Sequence, residues 1–237
     1  RITIMAENSE RYARNFDTLS RTEQDRLASA KVVVLGLGGL GGGVCEMLAR
    51  TGVGHLVLVD GDVFEASNLN RQLLCTEALV GTSKAKAAEK RVRAVNSQVT
   101  VTPVAAYADE TSLYDMIRGS DLVVDCLDSI QGRFMLQDAA KKARMPVVAG
   151  AIAGVSGQVT VFFPEDKGYE LIYGKRDHLP AKGVETRTGN ISYCALMVAA
   201  VQASECIKLL LDRGDVLRNK LLIMELWSNT FEIMDLA

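Results

Sequence analysis

The sequence predicts an α/β fold in which a mostly parallel sheet is continued by antiparallel strands and covered by helices on both faces. Between residues 31 and 150, short apolar runs alternate with helical stretches, as expected of parallel strands joined by crossover helices. After residue 150 this alternation stops, and two closely spaced apolar runs near the C-terminus indicate an antiparallel pair.

The elements of the first half follow in chain order. Residues 9–30 are predicted to be helical, and Ser20 with Glu23 fits a capping box that begins the helix 21–29. Strands are then predicted at 31–35, 55–60, 99–104, 121–126 and 146–149, with helices at 39–51, 83–95, 111–118 and 131–144.

In the second half, a strand is predicted at 157–163 and a long helix at 191–211. Strands at 221–226 and 230–235 form the antiparallel pair. Between the first strand and the helix lies a polar stretch, 164–189. A stretch of that length without secondary structure is typical of a functional loop in a compact domain.

Composition narrows the possible functions. The 237 residues include 27 basic and 29 acidic side chains, which gives a formal net charge of −2, and 48% are apolar. This balance provides a buried core but no basic stripe, so nucleic-acid binding is not favoured. The longest uninterrupted apolar stretch, 194–201, is too short to span a bilayer, so we expect a soluble, cytoplasmic protein without membrane contact.

The cysteines do not form a metal-binding pattern. The sequence contains five, none in a C-x-x-C pair: Cys45, Cys75, Cys126, Cys194 and Cys206. A zinc site is therefore not expected, and buried thiols in a reducing compartment are the simpler interpretation.

A glycine-rich turn follows the first predicted strand. Gly36, Gly38 and Gly41 form G-x-G-x-x-G, with Gly39 between them. Such a turn lets backbone N–H groups and a helix N-terminus approach a phosphate. Asp60 ends the next strand, where its carboxylate can accept hydrogen bonds from a ribose. A Rossmann-like nucleotide site is predicted, although glycines that only allow close packing, or an NAD-dependent oxidoreductase, would also fit this much.

The segment after Asp60 carries charges that a dinucleotide enzyme does not need. It reads D-G-D-V-F-E-A-S-N-L-N-R-Q and is followed by V-G-T-S-K. Its two cations, Arg71 and Lys84, suit the larger charge of a triphosphate. Asp128 follows strand 121–126 at the carboxyl edge of the sheet and can help hold the Mg²⁺ that accompanies ATP. Asp128 could instead cap the next helix.

Several motifs occur together in a specific order. G-x-G-G-x-G, D-x-D, S-N-L-N-R-Q, V-G-x-x-K and C-L-D follow one another, preceded by Arg11-Tyr12-Ala13-Arg14 and followed by Q-A-S-E-C-I-K at 202–208. In this ordered set, which spans nearly the whole chain, the sequence resembles the ThiF/MoeB/HesA family of adenylating enzymes, relatives of ubiquitin-activating enzymes.

The resemblance implies ATP-dependent adenylation of the C-terminal Gly-Gly carboxylate of a ubiquitin-like sulfur-carrier protein. It also implies a homodimer in which Arg14 completes the neighbouring ATP site. The implied roles place Gly39, Asn68 and Arg71 at the phosphates, Asp60 at the ribose, Lys84 at the α-phosphate and Asp128 at Mg²⁺. The implied nucleotide-binding set is completed by Gly36, Gly38, Gly41, Asp62, Gln72 and Ser129.

The sequence also departs from the family. Many members carry zinc-binding C-x-x-C pairs where this chain has 169–177 and 227–231, and neither range contains a cysteine. The range 183–189 lacks the thiol through which some relatives bond to a carrier. Cys194 is the nearest thiol, but its apolar surroundings favour packing, so we expect adenylation without a covalent enzyme intermediate. Ser129 stands where relatives often have Asn. Because both side chains can form hydrogen bonds, we expect the properties of the site to be altered but its activity to be retained.

We therefore expect one adenylation domain, 1–237. It comprises an N-terminal helical segment (1–30), a nucleotide-binding half (31–150) and a carrier-binding half (151–237) with a crossover loop at about 164–189. Three alternatives stay open. The same site could adenylate a small molecule, a peptide or a modified tRNA adenosine; the chain could be a non-catalytic half of a heterodimer; or it could be an NAD-dependent oxidoreductase, which would leave Arg71, Lys84 and Asp128 without tasks.

Overall fold

A computed structural model describes residues 10–176 and 188–236. Its strands form one sheet: β1 (Lys31–Leu35), β2 (His55–Val59), β3 (Thr100–Val104), β4 (Leu122–Asp125), β5 (Val147–Ala153), β6 (Ser156–Phe162), β7 (Lys220–Glu225) and β8 (Thr230–Asp235). The strand order is β3-β2-β1-β4-β5-β6-β7-β8. Strands β1 to β5 pair in parallel, and β5 to β8 pair antiparallel, which confirms the predicted sheet.

The described helices surround this sheet: α1 (Arg21–Ser29), α2 (Gly41–Thr51), α3 (Lys84–Val95), α4 (Leu113–Ile117), α5 (Ile130–Ala143), α6 (Glu170–Tyr173) and α7 (Ser192–Leu211). Two short 3₁₀ turns, Ala66–Asn68 and Glu77–Leu79, lie in the segment between β2 and α3.

Side-chain alternation along the strands divides the core into two layers. In β1, Val32 and Val34 belong to the layer that contains α2, α3 and α7, whereas Val33 and Leu35 belong to the layer that contains α4 and α5. Successive side chains of a strand point to opposite faces, so a continuous apolar run is buried on both sides. This explains why KVVVL carries no polar residue after Lys31.

The helix of the N-terminal segment has the predicted bounds, Arg21–Ser29. Helix α1 begins at Arg21 with the predicted capping box, in which Ser20 accepts from the Glu23 amide and Glu23 accepts from the Ser20 amide. The preceding residues form turns, because Asp17 has a φ of +80° and Phe16 pairs with Leu19. The prediction that the whole segment is helical is therefore wrong between residues 12 and 20.

The crossover loop is also more ordered at its start than the sequence indicates. Tyr169 is 1% exposed and is followed by α6, so the stretch 164–189 is not a simple polar loop. Residues 177–187 lie outside the described residues, and they include most of the thiol-free range 183–189.

Helix α7 is long and apolar enough to cross a membrane by length and composition alone. In this fold it packs against α2, β5 and β6, and Cys194, Val198 and Cys206 on its inner side are fully buried. These contacts make α7 a core helix of the domain.

The topology determines where a ligand can bind. From β1 the chain moves outward through β2 and β3, and it then returns to place β4 and β5 on the other side of β1. Loops after β1 and β4 diverge at this switch, which opens a crevice at the carboxyl ends of the strands.

Candidate nucleotide site

A cavity of about 900 Å³ occupies this crevice and extends across β5, β6 and β7. Ten residues named from the sequence line it: Gly36, Gly38, Gly39, Asp60, Asp62, Arg71, Gln72, Lys84, Asp128 and Ser129. Gly41, Asn68 and Arg14 do not. Most of the proposed nucleotide contacts therefore meet in one place, although their roles stay predictions.

Two glycines of the turn are required by close backbone approach. Gly36 has a φ of +87°, and a Cβ there would lie 2.7 Å from the Cys126 carbonyl oxygen. At Gly41 a Cβ would lie only 1.8 Å from the Gly36 carbonyl oxygen. A side chain at Gly36 would push the turn away from the residue that follows β4, whereas one at Gly41 would force the turn itself open, so Gly41 shapes the cavity without lining it.

Asp60 ties the glycine turn to the end of β2. Its Oδ2 accepts a hydrogen bond of 2.7 Å from the Leu37 amide, and its Oδ1 accepts one of 2.8 Å from the Asp62 amide. Burial raises the pKa of Asp60, although these hydrogen bonds and nearby Lys84 oppose the rise. The remaining lone pairs of the carboxylate are available to a ribose.

Asp62 and Lys84 form an ion pair on the cavity wall, with 2.9 Å between Oδ2 and Nζ. The Lys84 side chain is 8% exposed, whereas that of Asp62 is 48% exposed. The Tyr107 hydroxyl donates a 2.6 Å hydrogen bond to Oδ1 of Asp62. Burial alone would raise the pKa of Asp62, but the hydrogen bonds from Tyr107 and Lys84 lower it overall. Sequence reasoning missed Tyr107, because an isolated loop tyrosine carries no motif.

The 3₁₀ turn after β2 positions Arg71 and Gln72. The Arg71 guanidinium donates to the Ser67 carbonyl and to Oδ1 of Asn70, at 3.0 and 2.9 Å. Gln72 is 6% exposed, and its Oε1 has no hydrogen-bond partner among the described residues. A buried acceptor on a cavity wall favours a ligand that can donate to it.

Asn68 has a local role in this turn. Its Oδ1 accepts from the Glu65 amide at 3.1 Å, and its side chain is buried away from the cavity surface. The implied contact between Asn68 and phosphate therefore stays a prediction that would require this side chain to reorient.

Asp128 and Ser129 have different tasks. Ser129 caps α5, since its Oγ accepts from the Gly132 amide at 3.1 Å. The alternative in which Asp128 caps that helix is therefore wrong. Asp128 is exposed, lines the cavity and has no hydrogen bond to the described residues, so its carboxylate is available to a cation or a ligand.

A buried network fixes the loop that carries Asp128. Asp125 is 0% exposed and accepts from Arg133 at 2.9 Å and from the Tyr169 hydroxyl. Asp125 also accepts from the Leu127 amide at 2.9 Å, while Arg133 donates to the Leu127 carbonyl at 2.6 Å. Both backbone polar groups of the residue before Asp128 are thus held by one charged pair.

The far end of the cavity includes several small residues in its lining. Ala151, Ala153 and Gly157 contribute from β5 and β6, and Asn190 lies beside them. The Asn190 carbonyl accepts a 3.0 Å hydrogen bond from Asn70, so this end is joined to the Arg71 turn.

Neither a multi-carboxylate metal site nor a reactive thiol stands out among the described residues. They contain no group of three or more His, Cys, Asp and Glu side chains placed to hold a metal. All five cysteines are buried and unpaired. Burial raises the pKa of Cys45 to about 12 and also raises the pKa of Cys194, which disfavours their thiolates.

Two characterised enzymes are similar to this chain in sequence. The chain is 37% identical over 233 residues to the SAMP-activating enzyme E1 of Haloferax volcanii, covering 98% of this chain and 86% of the relative. It is 34% identical over 215 residues to the molybdopterin-synthase adenylyltransferase of Escherichia coli, covering 90% and 86%.

A solved structure has a similar fold. Microcin C7 biosynthetic enzyme MccB in complex with N-formylated MccA superposes with a TM-score of 0.80 at 26% identity, covering 98% of this chain and 73% of that one. The model of the ThiF family matches residues 11–237 of this chain. With the glycine turn, Asp60, Lys84 and Asp128 in one cavity, the chain belongs to the ThiF family.

Proposed function

We propose that this chain uses ATP to adenylate the C-terminal Gly-Gly carboxylate of a ubiquitin-like sulfur-carrier protein. A carboxylate oxygen attacks the α-phosphorus, the bond from that phosphorus to the pyrophosphate oxygen breaks, and pyrophosphate leaves. The product is an acyl-adenylate. The nucleophile is already anionic, so the reaction needs positioning and neutralisation of phosphate charge rather than a general base.

The shape of the cavity carries this proposal. One end has the glycine turn, Asp60 and Lys84, which suit a nucleotide, and the same cavity continues to the small residues of β5 and β6. A nucleotide and the end of a polypeptide would therefore meet within one continuous cavity. The relatives named SAMP-activating enzyme E1 and ThiS adenylyltransferase favour a carrier protein as that polypeptide.

The residues also fit ATP with Mg²⁺. Protein sites commonly hold Mg²⁺ through one or two carboxylates together with substrate phosphates, and Asp128 supplies an accessible carboxylate on the cavity wall. The bound ion would supply positive charge to the triphosphate. Lys84 and Arg71 are the cations of this chain that would bind phosphate oxygens.

We further propose that packing replaces zinc in the second half. Tyr169 packs against Phe134, Phe162 and Tyr173, with ring centroids 4.9 to 5.8 Å apart. Arg176 pairs with Asp138 at 2.6 Å. These contacts support packing in the role that zinc plays in other family members.

A homodimer completes the proposal. Arg14 is exposed and lies outside the cavity of its own chain, as expected of a residue that serves the site of a second copy. An Arg14→Ala protein mixed with an Asp128→Ala protein should regain exchange activity, because mixed dimers contain one intact site. No recovery, with dimers present, would argue against this assignment.

The decisive experiment is ATP–pyrophosphate exchange with each Gly-Gly-ending carrier of the source organism. Exchange should require one carrier and should disappear when its tail is clipped. Asp128→Ala should lower the rate by about 100-fold or more, whereas Asp25→Ala, an exposed change on α1, should not. ATP binding without exchange for any carrier would favour a small-molecule, peptide or tRNA substrate, and preference for NAD over ATP would favour an oxidoreductase.

A further inference from the structure

We propose that Tyr107 is a positioning residue of the nucleotide site. Its hydroxyl orients Asp62, which in turn holds Lys84, and its ring on Gly61 forms the outer wall of the nucleotide end of the cavity. The inference rests on the proposed use of ATP and adds a residue that the family motifs do not include.

The hydrogen-bonded chain is continuous. Tyr107 donates to Oδ1 of Asp62 at 2.6 Å, and Lys84 binds Oδ2 of the same carboxylate at 2.9 Å. The two oxygens of Asp62 are thus bound by different partners, which fixes the plane of the carboxylate. Lys84 keeps two further N–H donors, so it can hold Asp62 and a phosphate oxygen together.

The ring of Tyr107 has its own contact. A Cβ at Gly61 would lie 2.7 to 2.8 Å from three ring carbons, so the ring rests directly on the Gly61 backbone. Tyr107 is 73% exposed, yet both it and Gly61 line the cavity beside Asp60. A large exposed ring at the rim shields the ribose end of the site from water on one side.

The protonation states suit these roles. The groups that face Asp62 are Lys84, Asp60 and Tyr107. The pKa of Tyr107 is raised by its hydrogen bond to Asp62, so it donates throughout the neutral range. The pKa of Asp62 is lowered overall by its partners against burial, so it accepts.

Nucleotide binding tests this chain of contacts without any carrier. Titration calorimetry with ATP and with adenosine separates the two parts of Tyr107. Tyr107→Phe should weaken ATP binding about fivefold and leave adenosine binding unchanged, because only Lys84 and its phosphate contact are disturbed. Tyr107→Ala should weaken the binding of both, since the wall is lost as well. Tyr114→Phe, a change outside the cavity, is the matched control.

Two double mutants show whether Tyr107 acts through its observed neighbours. In an Asp62→Ala background, Tyr107→Phe should have no further effect on ATP binding, because the hydroxyl has lost its acceptor. Gly61→Ala should behave like Tyr107→Ala in the wild-type protein, since its methyl group displaces the ring. In a Tyr107→Ala background the added methyl group should change little.

The outcomes separate this inference from the proposed function. If the wild type binds ATP and Tyr107→Phe binds it equally well, or if the effects of Tyr107→Phe and Asp62→Ala add fully, the positioning role is wrong while ATP use stands. If the wild type binds no ATP, the proposed function and this inference both fail.

Discussion

Arg133 and Asp125 form a buried ion pair, 2.9 Å apart, directly beneath the loop that carries Asp128. Their side chains are 6% and 0% exposed. Tyr169, 44 residues further along the chain, donates its hydroxyl to the same carboxylate. The segment that begins the crossover is therefore joined to the nucleotide half by a charged group that water does not reach.

This arrangement predicts two different stability losses. Asp125→Asn should lower the free energy of unfolding by about 3–5 kcal/mol, because Arg133 stays buried without an anion. Tyr169→Phe keeps the ring packing and loses one hydrogen bond to a charged group, so it should cost about 1.5–3 kcal/mol. Urea unfolding of both variants measures the difference. Equal losses would mean that the Tyr169 hydroxyl contributes as much as the charge of Asp125, and would argue against a special cost of leaving Arg133 without an anion.

Sequence patterns predicted the parts of the site that depend on local spacing. Gly36 and Gly41 belong to a turn whose geometry excludes side chains, and Asp60 ends the adjacent strand. Pattern could not decide whether Asp128 or Ser129 caps α5, since both residue types cap helices and they are neighbours. The structure decides in favour of Ser129.

Sequence patterns could not predict contacts between residues that lie far apart along the chain. Tyr107 reaches Asp62 across 45 residues, and nothing in the spacing of either residue indicates the other. Alternation predicted a mostly parallel sheet, but it gave neither the strand order that places β2 beside β3 nor a side-chain direction in the loop after β3.

Substitutions at two positions of the glycine turn should have different effects, one on stability and the other on ATP binding. Gly41→Ala should destabilise the fold, because its Cβ would overlap the Gly36 carbonyl oxygen and cannot be accommodated by a side-chain shift. Gly38→Ala should leave stability nearly unchanged, since its nearest neighbour would be 3.6 Å away. Gly38 lines the cavity, however, so this change should weaken ATP binding.

Thermal unfolding and ATP titration of the same two proteins separate these effects. A Gly41→Ala protein as stable as the wild type would show that the turn can relax, and unchanged ATP affinity in Gly38→Ala would place the phosphates elsewhere in the cavity.

Glu46 predicts an acid-sensitive contribution to stability. Its carboxylate accepts from Arg50 and Arg91 at 2.8 Å. Burial raises its pKa, but these two arginines outweigh burial and lower the pKa overall. A group with a lowered folded pKa stabilises the protein above its unfolded pKa of about 4.3, and this stabilisation is lost as the pH falls through the folded value.

Glu46→Gln should therefore cost about 1–2 kcal/mol at pH 7, allowing for the exposure of both arginines. The difference between the variant and the wild type should shrink as the pH falls below about 4. Melting temperatures measured from pH 3 to pH 7 test this. A difference that stays constant across the range would mean that Glu46 contributes by packing alone.

The buried thiols predict adenylation without a covalent enzyme intermediate. Cys126 lines the cavity but is 9% exposed, and burial, with neighbouring Asp125, raises its pKa well above the ordinary value. Cys194 is fully buried and does not line the cavity. A thiolate is the reactive form of cysteine, so neither site favours nucleophilic attack on an acyl-adenylate.

Cys126→Ala and Cys194→Ala should each retain ATP–pyrophosphate exchange within a few-fold of the wild type, and intact-mass spectra taken with ATP and carrier should contain no enzyme–carrier adduct. Loss of such an adduct in one variant, with exchange retained, would instead identify that cysteine as the acceptor in a second step after adenylation.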